Sequence, residues 1–164
     1  MRLIKLALIS FVVLFAIVYG ISLMIPSQVR ISRAIDIQAP ADSILPRLRD
    51  LRYWEQWNGL VNNPDMSGQL YTIDSYSAEQ LQVRLQAPVT DTVKTLWRQQ
   101  NGKEIASGFT WHEAGGTTVV QWYFDVRLRW YPWEKFGSII FDKQLGPPME
   151  QSLDKLRKLL ESAR

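Results

Sequence analysis

Hydrophobic and polar positions alternate along most of the chain after residue 28. Val29, Ile31, Ile35 and Ile37 alternate with Arg30, Ser32 and Asp36, which predicts a first strand with one face against a core. Pro40 and Asp42 open a short helix over residues 42–49, with Asp42 as the expected N-cap. A second helical turn, over residues 53–57, stops at Asn58-Gly59. Strands are then predicted over residues 69–76 and over 81–87, where Leu81, Val83, Leu85 and Ala87 alternate with Gln82, Arg84 and Gln86. Another follows over 92–99, and Asn101-Gly102 predicts a two-residue hairpin turn. Strands over 103–112 and 117–127 flank Gly115-Gly116. Met149, Leu153, Leu156 and Leu160 then recur at spacings of four, three and four, one stripe of a helix running to about residue 162. Proline suits only a helix's first turn, so Pro147 and Pro148 place the start of that helix nearby. Residues 133–143 are also expected to be helical, with a break or kink at Gly146-Pro147. An antiparallel meander with one apolar face must bury it, and the terminal helix is the element long enough to cover it.

The N-terminus follows another pattern. No charged residue lies between Lys5 and Arg30, and residues 6–25 are almost entirely apolar. At about 1.5 Å per residue such a helix spans roughly 30 Å, the thickness of a bilayer's hydrocarbon core. A cleaved signal peptide has a shorter apolar region of about 7–15 residues, and Val18-Tyr19-Gly20 is a poor cleavage site. A buried soluble helix is the third reading. The pattern favours a transmembrane anchor over residues 1–28 followed by one domain over 29–164, with the bilayer as a partner through residues 6–25. Arg2 and Lys5 before the span and Arg30 and Arg33 after it nearly tie on the positive-inside comparison. The short charged tail is hard to translocate, which favours a single-pass protein with its domain on the non-cytoplasmic side.

Charge and composition mainly exclude. The chain has 164 residues and a formal net charge of +3. Without Arg2 and Lys5, however, the 19 basic residues fall to 17, nearly balancing the 16 acidic ones, so no nucleic-acid partner is implied. Lys155, Arg157 and Lys158, interleaved with Asp154 and Glu161, suit a solvated helix face. With no cysteine and one histidine, disulfides, thiolate chemistry and a zinc site are not expected. No cofactor is implied.

Several short stretches, taken in order, resemble a known family. They are Ile37-Gln38-Ala39-Pro40-Ala41 after the first strand and Trp54-Glu55-Gln56-Trp57-Asn58 ending the helical insert. Thr110-Trp111-His112-Glu113 and Gly116 to Trp122 follow, then Leu145-Gly146-Pro147 with Leu153 and Leu156. Over residues 30–163 the chain is similar to the START-like helix-grip (SRPBCC) superfamily, which includes the polyketide cyclase/dehydrase and lipid-transport group. The resemblance implies an α+β fold in which a curved antiparallel sheet wraps a long C-terminal helix. Such domains typically have seven strands where the pattern shows six, so a short extra strand is expected near residues 60–66. The resemblance also implies an apolar ligand between sheet and helix, and it carries over no catalytic residue.

Candidate site residues follow from strand parity. If Ile105, Phe109 and Trp111 face inward, His112 faces out, where a catalytic base has no substrate to meet. The inward set includes Tyr71, Trp97, Phe109, Trp111, Trp122 and Phe124, facing Met149, Leu153 and Leu156 of the helix. Each ring alone suits a filled core better than a pocket, but rigid rings with a few polar groups, taken together, favour an apolar ligand pocket. Trp54 and Trp57 either close the pocket mouth or pack the insert onto the sheet. Trp130-Tyr131-Pro132-Trp133, preceded by Arg127 and Arg129, suits a membrane interface, a pocket entrance or ordinary packing. Three functions stay open: a membrane-tethered binder or carrier of a small apolar ligand, a cyclase- or dehydratase-type enzyme drawing on Tyr71, Asp74 or Asp125, and a sealed interaction domain.

Overall fold

The computed structural model describes residues 2–24, 26–87, 89, 91–129 and 131–162, the side chains of residues 136–139 not being among those described. Helix α1 (Arg2–Met24) precedes strand β1 (Gln28–Ile37), helix α2 (Ala41–Arg49), a 3-10 turn (Leu51–Tyr53) and helix α3 (Trp54–Trp57). Strands β2 (Leu70–Tyr71), β3 (Ser75–Ser77), β4 (Leu81–Leu85), β5 (Thr92–Gln99), β6 (Glu104–Ala114) and β7 (Thr117–Arg127) follow, then helix α4 (Pro132–Glu161). The seven strands form one antiparallel sheet in the order β1-β7-β6-β5-β4-β3-β2. The sheet curves around α4, which packs chiefly along β1. This is the expected α+β helix-grip fold, and alternation sets its inner face: Val120, Trp122, Phe124 and Val126 are buried along β7 between exposed Val119, Gln121 and Arg127.

The seventh strand does not come from residues 60–66, which form turns. It comes from the stretch 69–76, which splits into β2 and β3. Thr72 is the reason: its hydroxyl accepts from Ser75 N at 2.9 Å while its own N–H donates to Ser75 O at 2.8 Å, closing a tight turn. Asn101-Gly102 likewise belongs to a three-residue loop. Gln99 N donates to Lys103 O and Gly102 N to Gln99 O, with Gly102 at φ 76°, the left-handed region glycine enters freely. At Ala114–Thr117 the two-residue turn is real, with Gly115 and Gly116 at φ 61° and 83°.

Two helix termini also differ from expectation. Pro40, not Asp42, is the N-cap of α2, and it offers no side-chain acceptor. Glu113 from β6 fills that role, accepting from Ala41 N at 3.1 Å, so the sheet caps the helix. In α4, Pro147 and Pro148 lie inside one 30-residue helix rather than at its start. Each removes an amide that would have bonded to Lys143 or Gln144. Packing overrides that loss: Met149, Leu153 and Leu156 are at most 1% exposed. Ser152 fixes the same turn to the insert, donating to Pro148 O at 2.6 Å and accepting from Gly59 N at 3.0 Å.

Candidate functional site

The middle of the grip is filled with aromatic rings. Trp54 and Trp57, at 0% and 1% exposure, lie inside the core rather than at a mouth. Trp57 sits 6.0 Å from Phe109 and 6.2 Å from Trp122, and Phe109 stacks on Trp122 at 5.1 Å. Two of the three indoles are satisfied locally, Trp122 Nε1 donating to Ser107 Oγ at 2.9 Å and Trp54 Nε1 to Leu48 O at 3.2 Å, whereas Trp57 Nε1 is buried without an acceptor among the described residues. Phe109, Trp122, Met149, Leu153 and Leu156 therefore belong to a sealed core.

Toward one end of the sheet the inward residues shrink, and a space opens. Past Phe109 on β6 come Ser107 and then Ile105, the latter opposite Trp97; past Trp122 and Phe124 on β7 comes Val126. A cavity of about 550 Å³ lies there between the sheet, the loop after α3 and the first half of α4. Its apolar wall is Leu81, Trp97, Ile105, Phe124 and Val126 from the strands, Leu60 and Met66 from the loop, and Phe141 and Leu145 from α4. Gln80, Gln99, Gln100, Asn101 and Gln144 add amides, and Lys103 is the lone charged residue of the lining among the described residues. Lys103 Nζ lies 5.9 Å from the Phe141 ring centroid, so the β5–β6 loop and α4 meet across the opening.

Of the residues expected to line a pocket, the structure brings Trp97 and Phe124 to this cavity. Trp111 is half-buried further along β6, with the Arg49 guanidinium 5.8 Å from its ring. Tyr71 packs on Tyr76 with centroids 4.8 Å apart, and its single hydroxyl proton has Gln69 Oε1 at 3.1 Å and Val61 O at 3.3 Å as alternative acceptors. Burial pushes the Tyr71 phenol up to about 12 and raises Tyr76 as well, so both stay protonated donors. The polar groups of the enzyme reading are scattered. Asp125 forms a bidentate pair with Arg30 on the outer sheet face at 2.7 Å, and Asp74 accepts from Thr72. His112 is exposed, and among the described residues no cluster of three His, Cys, Asp or Glu is placed to hold a metal.

Parity alone missed a polar feature on the inner face. Arg33 occupies the apolar register of β1 and crosses α4, pairing with Asp142 at 3.0 Å and Glu150 at 2.6 Å. The Glu150 hydrogen bond is the main cause of its raised pKa. Asp142, Gly146 and Glu150 are spaced four apart on one helix stripe, and a side chain on Gly146 would collide with the guanidinium. The sequence signal was a charge at an apolar position of a strand facing a glycine in a helix. Trp130 lies outside the described residues; Tyr131 and Trp133 stack at 4.9 Å, with Trp133 66% exposed.

A curved sheet gripping a terminal helix, with an apolar space between them, defines a START-like domain. The chain belongs to the family described as polyketide cyclase / dehydrase and lipid transport, whose pattern matches residues 28–161. Solved structures agree on the fold. A START superfamily protein from Mycobacterium smegmatis matches with TM-score 0.59 at 17% identity, over 82% of this chain and 99% of that one. A Staphylococcus aureus protein of unknown function matches with TM-score 0.60 at 10% identity, over 83% and 96%. A Chromobacterium violaceum protein matches with TM-score 0.57 at 14% identity, over 83% and 99%. No curated protein sequence matches the chain. Among the described residues one helix, α1, is long and apolar enough to cross a membrane.

Proposed function

We infer that the chain is a membrane-tethered binding domain, residues 29–164 on an anchor over 1–28, that holds a small apolar molecule. The cavity carries this reading. Its volume falls within the roughly 300–1,000 Å³ typical of ligand sites, and its wall is aliphatic and aromatic. Among the described residues the lining has no carboxylate and one cation, Lys103, so it suits a ligand whose polar end is neutral or anionic. Family membership points the same way. The filled centre limits the ligand to the β5–β6 end rather than the full length of the grip.

Native mass spectrometry of the full chain released from mild detergent tests this. Wild type is expected to retain a co-purifying apolar molecule, and Ile105→Trp, which fills the cavity, to lose it while keeping its melting temperature. Retention of the same mass by a folded Ile105→Trp protein would place the molecule elsewhere. No bound mass on wild type, even after incubation with lipid extract, would favour the sealed-domain reading that the aromatic centre otherwise suits.

A further inference from the structure

Helix α1 ends beside a proline, and that leaves a carbonyl to be satisfied. Ser22 O would accept from the amide four residues on, but that residue is Pro26, which has none. Lys135 of α4 supplies the donor instead: its Nζ lies 3.0 Å from Ser22 O. Both residues are buried, at 5% and 1% exposure. Val18, Tyr19 and Ser22, spaced for one helix face, are the residues of α1 that lose exposure, and α1 packs against α4. Leu128 N also donates to Ser27 O at 2.9 Å, so the end of β7 is tied to the anchor's exit.

This junction fixes which surface meets the membrane. A helix of 23 residues is about 34 Å long, against roughly 30 Å of hydrocarbon, so Ser22 lies at the interface of any bilayer α1 crosses. The first turns of α4, clasped to Ser22, lie at the same level. They present Trp133 and Ile140, 66% and 53% exposed and seven residues apart on one face. Arg127 and Arg129 precede them, exposed and without an ion pair among the described residues. Glu134 is turned back to accept from Arg129 N at 2.8 Å. Indole, aliphatic and guanidinium groups together suit the headgroup layer, and the arginines favour anionic lipid.

We propose that the first two turns of α4, with Arg127 and Arg129, lie in the headgroup layer of the membrane that α1 crosses. The cavity mouth at Phe141 and Gln144 then opens in the next turn, close to the lipid surface. The proposal rests on α1 spanning the bilayer, and its consequence for the mouth rests on the ligand-binding reading.

The absence of native cysteine makes a clean test possible. Single cysteines replace Val13, Trp133, Ile140 and Gln121 in the full chain, each carrying a nitroxide in vesicles of phosphatidylcholine with some phosphatidylglycerol. Depth is measured from collisions with oxygen against a water-soluble nickel chelate. The Val13 label is expected within the hydrocarbon, the Trp133 and Ile140 labels at headgroup depth, and the Gln121 label in water. In a Lys135→Met background the Trp133 and Ile140 labels are expected to shift toward water. A Val13 label in the bilayer with both α4 labels in water overturns the surface and leaves the anchor standing. A Val13 label in water overturns both. Unchanged α4 depths in Lys135→Met overturn the clasp as their cause. Ligand retention, scored separately by mass spectrometry, is independent of all these depths.

Discussion

Truncating Trp122 distinguishes a core from a pocket wall. Strand parity puts its ring on the inward face; were it a pocket wall, Trp122→Ala would alter affinity more than stability. Its burial among other rings supports the opposite order. Trp122 is fully buried, with Phe109, Phe124, Trp57 and Trp97 at centroid distances of 5.1, 5.4, 6.2 and 6.3 Å. Alanine there leaves a void that these rigid rings cannot fill, a loss of about 3–5 kcal/mol. Ser107 Oγ also loses its indole donor, although it still donates to Tyr123 O at 2.7 Å, which adds roughly 1 kcal/mol. Against a typical total of about 5–15 kcal/mol this is a large share. At a few degrees per kcal/mol, the melting temperature should fall by roughly 10–20 °C. Calorimetry of the full chain in mild detergent measures it, and Trp122→Phe, which keeps a ring, should fall much less. A Trp122→Ala protein that melts within a few degrees of wild type but no longer retains ligand would refute the sealed-core assignment.

Other substitutions test the grip, the clasp and the surface charges. Leu153 is 1% exposed, so Leu153→Asp buries an unpaired carboxylate at a cost of several kcal/mol; circular dichroism should show little folded protein. Gly146→Ala should lower the melting temperature by displacing Arg33 from Asp142 and Glu150, although alanine favours a helix interior over glycine by about 1 kcal/mol; a rise would mean that Arg33 relocates freely. The Asp154 carboxyl is held below its usual range by Lys158, with Arg157 adding to the effect. A depressed folded-state pKa stabilises above the unfolded value of about 4 and the effect disappears as pH falls through the folded one. Asp154→Asn should therefore lower the melting temperature slightly at neutral pH and leave it unchanged near pH 2, the size being limited by exposure.

Legibility in the sequence followed the range of the interactions involved. β5 and β7 have the boundaries that alternation predicts, and the Met149, Leu153 and Leu156 stripe faces the core, because burial of one face writes itself into every second or fourth residue. The division of residues 69–76 into β2 and β3 turns on one hydroxyl, Thr72, and leaves no periodic trace. The prolines of α4 mislead for the opposite reason: the local rule is sound, but packing along β1 outweighs it. For the cavity, parity identifies which side chains face inward and not how deep they lie. Trp122 and Phe124 share a face two residues apart, yet one is sealed and the other lines the cavity. The usable signal was size, the change from Phe109 and Trp122 to Ile105 and Val126 along neighbouring strands.

That gradient divides α4 into two halves with different duties. The half beyond Pro148 carries Met149, Ser152, Leu153 and Leu156, all buried, and Ser152 locks it to Gly59 in the loop after α3. The half before Pro147 carries Phe141, Gln144 and Leu145 on the cavity wall. It is also the half whose Lys143 and Gln144 carbonyls have lost their helical donors to the two prolines. A helix segment with fewer backbone bonds and a void beside it opens at lower cost than one packed into a core. The Arg33 clasp bridges the two halves, binding Asp142 before the prolines and Glu150 after them. Loosening that clasp should therefore free the cavity wall without releasing the grip: Arg33→Ala should speed hydrogen exchange at residues 141–145 more than at residues 152–156. Equal acceleration in both segments would show that α4 moves as one rigid unit.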